Sequence, residues 1–258
     1  MNLKNLNRVN LQTGLIDGHV HLSEIEPSER AVENAVKAGV KRMIAVAMNL
    51  DSCRKTLALA DRFPDNVLPA IGYHPWSIKA EDVEDTLIFI TQNIHRCVAL
   101  GEVGLDYKVK VKKKLQKAVF SKLLNLAVQI NKPVIIHSRF SYQRTYEMAV
   151  EAGIEKAVFH WYSGPVDILD KIIARGYHVS ATPALAYSPH HQAAITKAPM
   201  ERILIETDAP VQYGDRFSEP ADLKETLFHL SRIKKIPEDE LAGIVTKNAE
   251  RFFGLQID

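Results

Sequence analysis

His19 and His21 stand one residue apart behind the apolar pair Leu15-Ile16. In an extended strand, residues two apart point to the same side, so both imidazoles can meet one metal ion. In isolation, a pair of structural histidines looks the same. Polar residues of the same kind then recur behind short apolar runs. Glu102 follows Ala99-Leu100-Gly101, His137 follows Val134-Ile135-Ile136, and His160 follows Ala157-Val158-Phe159. Glu206 and Asp208 follow Ile203-Leu204-Ile205, two carboxylates expected on the same face. A carboxylate at the end of an apolar strand is costly to bury unless it is paired or metal-bound. Strand ends are also simply where polar residues begin, so one such coincidence carries little weight. Five of them are different: if the strands run parallel, all the ends lie on one face, and four imidazoles converge there with the carboxylates of Glu102 and Asp208. That set suits two divalent ions ~3.5–4 Å apart with one carboxylate between them. Imidazole-rich ligation favours Zn, Mn, Co or Fe over Mg, which prefers oxygen ligands and retained waters.

The elements needed to position these residues are legible. Apolar, β-rich runs at Leu15–Val20, Met43–Ala47, Val67–Ile71, Val98–Val103, Val134–His137, Ala157–His160, His178–Ala181 and Ile203–Glu206 predict strands. Amphipathic stretches fall between them at Ser28–Ala38, Ser52–Phe63, Asp82–Ile94, Lys114–Ile130, Ser141–Ala152 and Asp167–Ala174, and two more close the chain at Asp222–Lys234 and Glu238–Phe253. Pro237 suits the first turn of the last helix and Gly254 its stop. Strands alternating with helices imply parallel pairing, and eight of them fit an α/β fold of the (β/α)8 (TIM) barrel type. The competitor, a doubly wound open sheet, lacks its usual phosphate-binding turn: there is no GxGxxG and no GxxxxGK[ST]. With no repeat, low-complexity linker or composition break, residues 1–258 read as a single domain.

Composition excludes several classes. The chain has 258 residues, 46% hydrophobic and 25% charged, which argues against a disordered, collagen-like or coiled-coil chain. A formal charge of +2 does not by itself single out nucleic acid as a partner, so any basic patch must be local. One exists: Lys108 to Lys117 reads KVKVKKKLQK, with six lysines, either a solvated helix start or a tract that attracts a polynucleotide backbone. The two cysteines, Cys53 and Cys97, have no framework spacing, which points to a reducing compartment. The opening MNLKNLNRVN has no apolar core of a secretory leader, and no apolar run approaches the ~20 residues of a membrane span. A soluble, cytoplasmic protein with no membrane partner is expected.

The same residues carry a family resemblance. Asp17-Gly18-His19-Val20-His21, Gly72-Tyr73-His74-Pro75, Gly101 to Tyr107 (GEVGLDY), Pro133 to Arg139 (PVIIHSR), His160 to Gly164 (HWYSG), Glu206 to Pro210 (ETDAP) and Asn248 to Leu255 (NAERFFGL) resemble the TatD family of metal-dependent deoxyribonucleases, in order along almost the whole chain. The resemblance implies a TIM barrel of the amidohydrolase-like type. It implies that His19, His21 and Asp208 hold one ion, His137 and His160 the other, and that Glu102 bridges. It also implies DNase activity, often 3′→5′ exonucleolytic, with Mg or Mn. Two departures stand out. HWYSG replaces a segment that reads closer to HCFSG, and Arg216 to Pro220 (RFSEP) has one residue more than the family's Arg-Asn-Glu-Pro stretch, so no role passes to Arg216.

The expected chemistry is attack by water activated on two divalent metal ions (Zn, Mn, Mg or Co), with Asp208 as general base. No covalent nucleophile is required, since there is no GxSxG elbow. His74 is expected to bind substrate or act as leaving-group acid. Arg139 is expected to fork onto a phosphate, or else to form an ion pair at the rim. Glu206 and Asp17 read as residues that orient a ligand, or as paired core carboxylates. Tyr73, Tyr107, Trp161 and Tyr162 either stack unpaired bases or pack the rim. The substrate expected is DNA, as single strands or frayed ends. Two alternatives stay open: hydrolysis of a small cyclic amide, lactone or phosphoester on the same scaffold, and an inactive metal-binding scaffold.

Overall fold

The structure, a computed structural model, describes residues 14–255. The reading of the first ten residues as lacking a leader core lies outside them. Eight parallel strands run in the order β1 (Leu15–Val20), β2 (Val40–Val46), β3 (Val67–Ile71), β4 (Ala99–Asp106), β5 (Val134–Arg139), β6 (Ala157–Phe159), β7 (His178–Ala181) and β8 (Ile203–Ile205). Helices α1 (Ser28–Lys37), α2 (Leu50–Arg62), α3 (Val83–Asn93), α4 (Lys113–Gln129), α5 (Tyr142–Glu151), α6 (Val166–Ala174) and α7 (Pro189–Lys197) connect them. A small hairpin, β9 (Gln212–Tyr213) and β10 (Arg216–Phe217), precedes α8 (Leu223–Lys234) and α9 (Glu238–Phe253). The (β/α)8 expectation therefore holds. Helix α7 and the hairpin escape the sequence reading: α7 shows weak amphipathic patterning, and two-residue strands carry almost no periodic signal. Pro237 precedes α9 as its N-cap rather than sitting in its first turn.

Each helix turns an apolar stripe inward. In α4 the buried set Val119, Phe120, Leu123, Leu124 and Ala127 recurs at the three- and four-residue spacing of one helix face. Asn49 caps α2 by accepting from the Ser52 amide while Ser52 caps it in return, which satisfies donors the first turn leaves open. Gly254 stops α9 in a left-handed conformation (φ 67°).

Inside the barrel, Ile16, Ile44, Val46, Ala70, Ala99, Ile135, Val158 and Leu204 pack together, and Ala249, Phe252 and Phe253 of α9 join them from the floor. The family-like segment at Asn248 is thus structural: the Asn248 amide donates to the carbonyls of Met200 and Ile203 at 2.6 and 2.9 Å, tying α9 to the entry of β8. The seam between β8 and β1 is stitched above this core. Asp208 N donates to His19 O (3.0 Å) and His21 N to Ala209 O (2.8 Å). The buried Asp17 carboxylate accepts from Thr207 N (3.0 Å), Thr207 Oγ1 (2.6 Å) and His19 N (3.2 Å). Among the described residues, no helix is long and apolar enough to cross a membrane.

Candidate metal centre

At the C-terminal end of the barrel, the residues singled out from the strand ends converge in the buried interior. His19 Nε2 lies 3.3 Å from His21 Nε2, 3.3 Å from Glu102 Oε2 and 3.4 Å from Asp208 Oδ1. His21 Nε2 lies 3.5 and 3.3 Å from the same two oxygens. The two imidazole nitrogens and the Asp208 oxygen lie close enough together to serve one ion, and Glu102 Oε2 stands within 3.5 Å of both nitrogens. The other Glu102 oxygen faces a second group. Oε1 lies 2.7 Å from His160 Nε2, 2.9 Å from His137 Nδ1 and 3.3 Å from His74 Nε2.

Carboxylates behind this second group choose its tautomers. His137 Nε2 donates to Asp106 Oδ2 (3.2 Å), which leaves a lone pair on Nδ1. His160 Nδ1 donates to Glu206 Oε1 (3.3 Å), which leaves a lone pair on Nε2. Both lone pairs then face a carboxylate oxygen, acceptor against acceptor, an arrangement that calls for a cation or protons among them. His74 differs. Its Nδ1 accepts the Trp76 amide (3.2 Å), so the proton sits on Nε2, and the ring presents a donor rather than a ligand. The donor set as a whole, buried imidazoles with buried carboxylates, suits divalent metal binding.

The electrostatics follow from the same contacts. Burial would raise the Glu102 carboxyl, but the imidazoles of His160, His74 and His19 outweigh it and hold it well below the ordinary value. Burial would lower His160, yet Glu102 and Glu206 push it well above its ordinary value. His137 is raised in the same way by Asp106 and Glu102 against burial. Asp208 is held low by His21 and His19 against burial, so it is a carboxylate at neutral pH. Burial takes His74 down to about 4, so it stays neutral.

Local backbone places several of these groups. β4 does not end near Glu102 but runs four residues further, to Asp106. Glu102, Gly104 and Asp106 then alternate onto one side, which brings Asp106 to His137. Gly104 has φ 153°, and a Cβ there would come within 2.0 Å of His137 O, so a side chain would force β4 away from β5. Gly72 lets β3 approach β4 similarly: its Cβ would meet Glu102 O at 2.6 Å. β8 ends at Ile205, so Glu206 and Asp208 sit beyond the strand, and Asp208 reaches its place through left-handed backbone (φ 51°). A non-glycine residue in that region is uncommon and strained, and such residues cluster at functional sites.

The remaining sequence-predicted residues separate. Asp17 clasps the seam on the backbone side of His19, and burial lifts its carboxyl to about 8 against the bonds from Thr207 and His19. Glu206 backs His160 and also accepts the Trp161 amide at 3.1 Å. Arg139 ends β5 half-buried, and among the described residues its guanidinium has no ion-pair or hydrogen-bond partner, which removes the rim ion-pair alternative. Arg216 is engaged by Asp222 and Glu225. The six lysines of residues 108–117 are exposed where β4 leads into α4, and Lys113 Nζ sits 4.4 Å from the centre of the Tyr107 ring. Two of the expected stacking aromatics belong to the core instead. Tyr73 and Tyr162 are buried because each hydroxyl finds a backbone partner, the Lys79 amide and the Pro165 carbonyl. Sequence reasoning missed Asp106 and Trp76. Alternation from Glu102 finds Asp106 once the strand is extended. Trp76 follows His74-Pro75 directly, and its position beside a motif histidine was the available signal.

Comparisons with known proteins place the chain in a family and match its fold. The family model for TatD related DNase matches residues 16–254. The human deoxyribonuclease TATDN3 is 29% identical over 259 residues, covering 93% of this chain and 94% of the relative. A metal-dependent hydrolase of Methanocaldococcus jannaschii is 28% identical over 245 residues, covering 92% and 96%. Among solved structures, YjjV, a TatD homologue from Escherichia coli, superposes with a TM-score of 0.84 at 24% identity over 94% of this chain and 98% of that one. A TatD-family hydrolase from Entamoeba histolytica gives 0.84 at 21% identity over 94% and 99%.

Proposed function

The chain belongs to the TatD-related DNase family of metal-dependent hydrolases, and on that premise we propose that it is a two-metal deoxyribonuclease acting on single-stranded or frayed DNA ends. The observation that carries this reading is the division of Glu102, whose Oε2 faces His19 and His21 while Oε1 faces His137 and His160. His19, His21, Asp208 and Glu102 would hold one ion; His137, His160 and Glu102 would hold the second. When bound, the two cations would polarise a water for attack on the phosphorus and offset the charge gathering on the phosphate oxygens.

The chain's own groups do the rest. Asp208, ionised at neutral pH, takes the proton of the attacking water. His74, neutral and protonated on Nε2, donates a hydrogen bond to the leaving oxygen, a role that does not need an imidazolium. Arg139, whose guanidinium has no partner among the described residues, forks onto a phosphate oxygen pair. Asp106 and Glu206 keep His137 and His160 in the tautomers that offer a lone pair inward. A concave mouth built from barrel loops admits an end more readily than an intact duplex, and the family resemblance implies that attack begins at the 3′ end. The ions are drawn from Zn, Mn, Mg and Co, the chain works as one domain, and its place is the cytoplasm.

The test is release of nucleotides from a 3′- or 5′-labelled single-stranded oligonucleotide by protein loaded with each metal in turn, against a chelated control, beside a panel of small phosphodiesters, esters and lactones. Metal-dependent shortening from the 3′ end is the expected result. Untouched DNA with a turned-over lactone or ester would reject the nuclease reading.

A further inference from the structure

Among the described residues, the large exposed aromatic side chains are Trp76, Phe140, Tyr187 and Phe217. All four stand on loops that follow barrel strands at the metal-bearing end. Only Trp76 is bonded into the centre. Its indole is 48% exposed, yet Nε1 donates to Asp106 Oδ2 at 2.5 Å. The same carboxylate oxygen takes His137 Nε2, and Asp106 Oδ1 takes the amide of Lys108, the first residue of the lysine tract, at 2.7 Å. The indole also stands edge-on to His74 and His137, with ring centres 4.8 and 5.9 Å away. One buried carboxylate therefore ties together an exposed aromatic face, an imidazole of the second donor group and the start of a run of exposed lysines.

We propose that Trp76 is the base-stacking platform of this site. Its open indole face takes the unpaired base beside the scissile linkage, and Asp106 holds that platform in register with His137. The inference rests on the DNA reading above and deepens it. An exposed indole is a poor choice for a solvent-facing surface, but a stacking face suits an unpaired base of any sequence. Locking the ring through its N–H removes the rotamer entropy that a base would otherwise have to overcome on stacking. Positive charge follows the same carboxylate along the chain and across the sheet: the lysine tract begins two residues after Asp106, and Arg139 pairs with Asp106 between β4 and β5. Nothing in the arrangement reads base edges, so the platform recognises an unpaired nucleotide rather than a sequence.

The chain has two tryptophans, Trp76 and Trp161, so the Trp161→Phe background makes emission report on Trp76. As-purified protein is titrated with a single-stranded oligodeoxynucleotide whose end linkages are phosphorothioates, so that cleavage is slow, and with versions abasic at one end or the other. The intact strand should quench the emission, and an abasic residue at the end that enters should remove the quench and weaken binding. In the wild-type background, followed by anisotropy of a labelled strand, Trp76→Ala should weaken binding about 10-fold, while Trp76→Phe, which keeps a ring, should stay within about threefold. Both variants lose the indole N–H, so turnover of bis(4-nitrophenyl) phosphate should fall by the same factor in each, at most about 10-fold. The Michaelis constant for the oligonucleotide should rise in the alanine variant alone. Equal oligonucleotide affinity in the wild type and Trp76→Ala, or no discrimination against an abasic end, would overturn the platform while leaving the nuclease reading standing. If the wild type binds no oligonucleotide, the DNA reading falls and the platform with it.

Discussion

The two donor groups that share Glu102 are built differently. The group of His19, His21 and Asp208 has no support behind its imidazoles: among the described residues, the buried Nδ1 of each histidine has no hydrogen-bond partner. In the group of His137 and His160 each imidazole is backed by a buried carboxylate, Asp106 or Glu206. A backing carboxylate fixes tautomer and orientation and makes the imidazole a stronger donor. The first group thus reaches its geometry by number of ligands, and the second by quality of support. The second group adjoins Trp76, whose indole bonds Asp106 and stands 5.9 Å from the His137 ring, and Asp106 pairs in register with Arg139 of β5.

That contrast can be broken most severely at the one residue both groups share. Glu102→Ala should deplete metal from both, with a turnover loss beyond the ~1000-fold that removal of one electrostatic group costs. Elemental analysis and DNA hydrolysis would measure it, and full two-metal occupancy would show that Glu102 does not bridge. Asp208→Asn should lower turnover about 100-fold or more by removing the proton acceptor. Its metal loss should be confined to one ion per chain, read by competition with a chelating dye.

Asp106→Asn and Glu206→Gln test the support itself. Each should cut affinity for one metal about 10- to 100-fold and leave the other unchanged. Equal weakening of both ions would mean that the two groups do not respond independently. The smallest effect is expected from neutralising Lys112, Lys113 and Lys114 together. Three charges lost should raise the Michaelis constant for oligonucleotides severalfold and reduce its salt slope by about 2–3. Hydrolysis of a small phosphodiester should stay the same. Equal losses on both substrates would place the lysines in folding rather than in strand binding.

How much of this was legible varies residue by residue. His137 and His160 stand behind continuous apolar runs, and a run that ends in a histidine reads the same in sequence and in structure. Asp106 was hidden because β4 was expected to stop at Val103, one residue before Gly104. The glycine is there for the opposite reason, because only a residue without Cβ lets the strand continue beside His137 O. Trp76 was hidden because exposure is a tertiary property: Tyr73 and Trp76 are both aromatic and three residues apart, yet one is buried and the other half open.

The sequence by itself determined the alternation of strand and helix, and hence the parallel barrel, because periodicity and apolar runs are local properties. It also determined that His19 and His21 share a side. Which side they share was decided only by the tertiary structure. Ile16 packs inside the barrel, so strict alternation from Ile16 would turn His19 outward. The pairing of β1 with β2 shifts register between Asp17 and Val20, and that of β4 with β5 shifts between Leu100 and Val103. Each shift reverses the inward set, so that Ala99 and Glu102, three residues apart, both face the interior. A register shift is set by what the neighbouring strand and the seam accept, here the Asp17 clasp on Thr207 and the close approaches at Gly72 and Gly104. Those contacts join residues up to 190 positions apart, a separation that no local pattern can encode.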